Sequence, residues 1–96
     1  MSLRDLVHKY ICSAEHVLGR IRIVEVPVEF DVGRVREVVD SAKAYLEDAR
    51  YYREKEKFEV SLTSVAYCEG LLDALRTLGM VKFEWPAKKR KRKNHK

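Results

Sequence analysis

Arg53-Glu54-Lys55-Glu56-Lys57 is a run of five charged residues with no apolar member, and the sequence on either side of it decides the fold. Before it, Val35, Val38, Ala42, Tyr45, Ala49 and Tyr52 recur at steps of three and four, with Val39 and Leu46 alongside. After it, Phe58, Leu62, Val65, Cys68, Leu72, Leu75 and Leu78 do the same, and Leu71 adds a second column. Apolar recurrence at that step marks an amphipathic helix with one buried stripe. A short charged turn between two such stripes implies an antiparallel helix pair. Asp31 is placed to cap the first of these helices, and Gly79 to end the second with a left-handed residue.

Toward the N-terminus a third stripe, Leu3, Val7, Tyr10, Ala14, Val17 and Ile21, is widened by Leu6, Ile11 and Leu18. Ser2 followed by Asp5 has the form of a capping box with a shorter acid. Between this helix and the next, Val24, Val26, Val28 and Phe30 alternate with Glu25, Pro27 and Glu29, a period of two that reads as extended chain. Pro27 cannot donate to a ladder, so an extended connector laid along the bundle is expected, at most an edge strand. Val81-Lys82-Phe83-Glu84-Trp85-Pro86 alternates likewise. Two such short segments make a marginal sheet, so this stretch is expected to lay Phe83 and Trp85 on the core rather than pair with the connector. The expected fold is all-α: an antiparallel up-and-down three-helix bundle over residues 1–87, with the extended connector between helices 1 and 2. Residues 88–96 form a basic tail, disordered or ordered by a partner.

Charge is divided unevenly along the 96 residues. Lys88, Lys89, Arg90, Lys91, Arg92, Lys93 and Lys96 are seven of the twenty Lys and Arg, and no acid accompanies them. The first 87 residues therefore hold thirteen bases against fifteen acids, a net charge of −2. A block of like charge does not fold alone and characteristically meets a polyanion. No apolar run approaches a membrane span, and the mixed charges at the N-terminus are unlike a signal peptide. A cytoplasmic protein with no membrane partner is expected. Cys12 and Cys68 are too few for a disulfide framework; a single bridge between them is conceivable.

Tyr45-Leu46-Glu47-Asp48-Ala49-Arg50-Tyr51-Tyr52, the charged turn, Val65-Ala66-Tyr67-Cys68-Glu69-Gly70-Leu71-Leu72-Asp73-Ala74-Leu75 and the closing Leu78-Gly79 together resemble the archaeal family called domain of unknown function 357. That family shows an Asp-Ala-x-Tyr segment, a charged turn, a Tyr-x-x-Gly-x-x-Asp-Ala segment and a terminal Leu-Gly. The resemblance implies a small up-and-down helical bundle and an archaeal source, and some members are fused to a cytidylyltransferase-like domain. This chain departs at the turn, where many relatives carry Gly-Asp and it has Glu56-Lys57, and its basic tail is not part of the signature.

Four further groups of residues bear on function. Ala66, Gly70 and Ala74 make a small-residue groove along helix 3, either for close packing inside the bundle or for docking of a protein partner or a second copy. Glu69 and Asp73 share a face with Arg76, and Asp48 is a candidate to lie opposite. Three carboxylates suit a hard cation, although a salt-bridged or hydrogen-bonded face is the commoner arrangement, and no metal or cofactor is expected. His8, Cys12 and His16 recur every four residues, but eight residues of helix rise about 12 Å, too far for one zinc ion to bind all three. Tyr51 lies off its helix stripe and, with Glu69, Gly70 and Asp73, is expected on a partner-docking face.

No nucleophile, cleft or phosphate loop accompanies the carboxylates, so no catalytic residue is named and a non-enzymatic protein is expected. The tail points to RNA, in a ribonucleoprotein that could be the ribosome, with phosphate contacts from Lys88 to Lys93 and Lys96 and Trp85 as a possible platform for a base. The alternative expectation is a protein-interaction or dimerisation adaptor for a nucleotidyltransferase-type enzyme.

Overall fold

A computed structural model describes residues 1–24 and 31–86. Helix α1 spans Leu3–Arg20, α2 Val32–Glu54 and α3 Phe58–Thr77; two-residue strands β1 (Arg22–Ile23) and β2 (Val81–Lys82) follow α1 and α3. The protein is an all-α three-helix bundle, running up, down and up, with a minimal antiparallel ladder at one end.

The helix boundaries follow from local chemistry. The Ser2 hydroxyl accepts from the Asp5 amide at 3.1 Å, and the Asp31 carboxylate from the Gly33 amide at 2.8 Å. Each satisfies an amide that a helix start leaves without a partner. Helices α2 and α3 end in the same motif. At α3, Gly79 and Met80 amides return to the Arg76 and Leu75 carbonyls at 3.0 and 2.9 Å, with Gly79 at φ 78°. At α2, Glu56 and Lys57 amides return to Arg53 and Tyr52, both at 2.9 Å, with Glu56 at φ 61°. Both pairs are Schellman closures, which require a left-handed residue.

The core comprises Val7, Ile11, Ala14 and Val17 from α1, Ala42, Leu46 and Ala49 from α2, Val65, Cys68 and Leu72 from α3, and Trp85. A smaller cluster of Val35, Val39, Leu75, Met80 and Val81 fills the end that carries the ladder. On α2 the buried line runs through Val39 and Leu46, while Val38, Tyr45 and Tyr52 flank it half-buried. The sequence stripe is thus displaced by one column, because α2 packs chiefly on α3 and presents the edge nearer to it. Leu78, expected inward, is 66 % exposed because it occupies the C-cap, where the chain is already turning out. Ser61 is fully buried and its hydroxyl donates to the Ala49 carbonyl at 2.7 Å. A small residue opposite Ala49 lets α2 and α3 approach, and the hydrogen bond removes the cost of burying a hydroxyl.

The expectation that the Val81–Pro86 stretch packs without pairing is corrected. It does both. Arg22 pairs with Lys82 and Ile23 with Val81, and the Val24 amide donates to the Met80 carbonyl at 3.1 Å. The ladder forms just before the alternating connector, because Ile23 and Val81 bring apolar side chains onto the smaller cluster. Most of the expected connector, residues 25–30, lies outside the described residues, as does the tail.

Candidate nucleic-acid interface

Beyond β2 the chain turns back along α3. The Arg76 Nε–H donates to the Phe83 carbonyl at 3.0 Å, and three residues earlier on α3 the Asp73 carboxylate accepts from the Trp85 indole N–H at 2.6 Å. Phe83 and Trp85 meet edge to face with centroids 5.0 Å apart. The Arg76 guanidinium lies 5.5 Å from the Phe83 ring centre and 3.7 Å from the Glu84 carboxylate. A buried indole needs a partner for its N–H, and a carboxylate is a strong one. This strap fixes the chain up to Pro86, where the described residues end.

The strap changes the roles expected of two residues. Trp85 is 6 % exposed and belongs to the core, which corrects its expected role as a stacking platform: its ring lies on the bundle and its N–H is taken. Asp73 is exposed, and its carboxylate holds the strap through the indole N–H. The nucleic-acid residues Lys88, Lys89, Arg90, Lys91, Arg92, Lys93 and Lys96 lie outside the described residues.

The remaining docking residues are not gathered into one patch. Tyr51 is 56 % exposed on the last turn of α2, edge to face with Tyr52 and 5.3 Å from the Lys55 ammonium. Glu69 is half-buried in the middle of α3 and Gly70 exposed beside it. At a rise of about 1.5 Å per residue, Tyr51 and Asp73 lie at opposite ends of the helix pair. A Cβ added at Gly70 would meet nothing within 4 Å, so the small-residue groove is not packed inside the bundle. It faces outward: Thr63, Ala66, Gly70, Ala74 and Thr77, with Tyr67 53 % exposed, form an uncharged strip along α3.

The other constellations resolve into local pairs. His8 Nε2 lies 3.6 Å from Cys12 Sγ, and His16 Nδ1 3.1 Å from an Arg20 nitrogen. Among the described residues no three His, Cys, Asp or Glu side chains converge to hold a metal, so Asp48, Glu69 and Asp73 do not form one cluster. Cys12 and Cys68 are both free, one on the surface and the other in the core, so the conceivable bridge is absent. Burial, aided by the charge of Glu69, pushes the Cys68 thiol up to about 12, and a protonated buried thiol is chemically inert.

What sequence reasoning missed is a basic concavity at the ladder end. Arg20, Arg22, Arg76 and Lys82 line it with Thr77, Gly79, Val81, Phe83 and Glu84; it is open to solvent and has a volume of about 610 Å³. These bases are scattered over more than sixty positions and attract no notice in a body whose net charge is negative. Only their shared position at the end where α1 and α3 both stop brings them together.

Fold and surface define a small helical-bundle protein with one basic concavity. The family described as Protein of unknown function (DUF357) matches residues 9–81, and the chain belongs to that family. No curated protein and no solved structure matches it significantly. No described helix is long and apolar enough to cross a membrane.

Proposed function

We propose that this is a non-enzymatic, cytoplasmic archaeal protein that binds RNA through its basic C-terminal tail, as a component of a ribonucleoprotein of the ribosomal kind. The observation that carries this reading is the charge partition: seven bases and no acid in residues 88–96, on a body whose net charge is −2. Such a tail neutralises phosphates and displaces condensed counterions without reading sequence. The strap supports the reading by giving the tail a fixed root, since Trp85 is held on α3 only three residues before Lys88. An anchored root lowers the entropy lost when the tail is ordered on RNA.

The test is RNA affinity against salt for the full chain and for a full-length variant with Lys88–Lys93 changed to glutamine. Engagement of most tail charges gives a log–log slope of about −4 to −6, from about 0.7–0.9 per neutralised phosphate. That slope, lost on neutralisation, is the expected result. Equal, weak and salt-insensitive binding by both proteins overturns it. A second reading, an adaptor that docks a protein partner such as a nucleotidyltransferase-type enzyme, is favoured by the uncharged outer strip of α3. It requires that tail neutralisation spare partner capture and that Gly70→Arg abolish it.

A further inference from the structure

The ladder end of the bundle carries positive charge that the fold itself does not explain. Arg20 and Arg76 have structural reasons to be there: each sits in the last turn of a helix, where the dipole favours a cation, and Arg76 also holds the strap. Arg22 and Lys82 are exposed on the ladder and cap no helix. They are direct partners across the antiparallel ladder, so their side chains leave the same face with Cβ atoms about 5 Å apart, where like charges repel. Among the described residues neither makes an ion pair. The register cannot slip to separate them, because a one-residue shift would turn Ile23 and Val81 out of the core. The fold therefore holds two cations side by side at the mouth of a concavity that already contains two arginines, with Glu84 the one acid lining it among the described residues.

We infer that this concavity is a phosphate-binding site on the folded body, separate from the tail. Arginine forks match phosphate oxygens two at a time, and lysine adds a point charge. Phe83, held under Arg76, gives one apolar wall, and Gly79 leaves its part of the rim without a side chain. The chemistry suits any phosphate group. Assigning it to an RNA backbone rests on the RNA reading above, and geometry supports that assignment: Glu84 is on the rim, and four residues of chain bring Lys88 no farther than about 14 Å from it. One strand would then meet the concavity and the tail in succession, with the body fixing the register of an otherwise unspecific contact.

The experiment is a titration of the full-length protein, isotope-labelled for NMR, with sodium pyrophosphate and separately with a short single-stranded RNA. The backbone amides of Arg22, Gly79 and Lys82 and the Nε–H of Arg76 report on the concavity, while the single indole N–H of Trp85 reports that the strap stays docked. Saturable shifts at the four reporters are expected, retained in the tail-neutralised variant and weakened at least tenfold in Arg22→Gln/Lys82→Gln, whose Trp85 signal verifies folding. Absence of saturable shifts in the tail-neutralised protein, or equal shifts in the double variant, overturns the site. The two readings fail separately. If pyrophosphate moves the reporters but RNA does not, the concavity serves a small phosphorylated ligand and the RNA assignment falls. If RNA binds through the tail while the reporters stay still, the concavity falls and the RNA reading stands.

Discussion

The depressions at the two ends of the bundle are lined, among the described residues, by similar numbers of charges in opposite arrangements. At the α2–α3 turn, Arg4, Asp5, Arg53, Glu54 and Glu56 line one depression with His8 and Phe58, and Arg4 lies 3.6 Å from Glu56. Positive and negative alternate there, the pairing is exposed, and such pairs contribute little to stability. In the ladder-end concavity four bases share the lining, and Glu84 is the one acid among its described residues. The turn end is a solvated surface that needs nothing further. The ladder end sets Arg22 and Lys82 opposite each other across the strands, where an anion could meet both. Charge count alone does not separate the two; the cross-strand register does.

The same pair of ends carries the two Schellman closures, one on Gly79 and the other on Glu56, so substitutions can probe each independently. The largest expected effect is at the ladder end. Trp85→Ala removes a buried aromatic ring and leaves Asp73 and Phe83 without their partner, and the loss is expected at about 3–5 kcal/mol. Trp85→Phe, which keeps most of the ring and deletes the hydrogen bond, is expected to cost about 1–3 kcal/mol. Urea midpoints measure both. Hydrogen exchange in Trp85→Phe should show faster exchange at Val81–Lys82 with α2–α3 turn amides unchanged. Uniform acceleration would mean that the two ends do not open separately.

An intermediate effect belongs to the turn end. Glu56 is a non-glycine residue at φ 61°, a conformation that costs an L-residue about 1–2 kcal/mol, whereas glycine loses about 0.5–1 kcal/mol more chain entropy on folding. Glu56→Gly is therefore expected to stabilise the protein by about 0.5–1 kcal/mol. The Arg4 ion pair it deletes is too exposed to offset this. A lowered urea midpoint would show that the turn is held by the glutamate side chain rather than tolerated in spite of it.

The smallest effect is the most pointed for function. Lys82→Glu converts the like-charged cross-strand pair with Arg22 into an opposite one and is expected to raise stability by about 0.5 kcal/mol. The same change should abolish phosphate-dependent shifts at the concavity. A gain in stability with loss of binding is the behaviour of a site built against the interest of the fold. No gain would mean that the two side chains already splay apart.

Much of this was legible in the chain. Helix period, the Ser2 and Asp31 caps, the closing Gly79 and the charged turn follow from interactions spanning three or four residues, so the local order of residues contains them. Glu56, within that charged turn, occupies the left-handed position that glycine suits. Less legible were Ser61, whose burial depends on Ala49 across the helix interface, and Trp85, whose partner Asp73 lies twelve residues back. A polar residue on an apolar stripe and an aromatic before a basic run each permit two readings, and only the packing selects one.

By itself, then, the sequence determined three helices, the caps at Ser2, Asp31 and Gly79, and the segregation of the positive charge excess into the last nine residues, because helix formation and charge repulsion are set by near neighbours. Tertiary structure alone decided that Arg20, Arg22, Arg76 and Lys82 share one concavity, that Gly70 faces outward rather than into the bundle, and that Trp85 locks the tail's root onto α3. Each of these depends on which helix ends meet and on the register of a two-residue ladder. Those are set by burial of Ile23, Val81 and the core side chains over long sequence separations, and no local pattern records them.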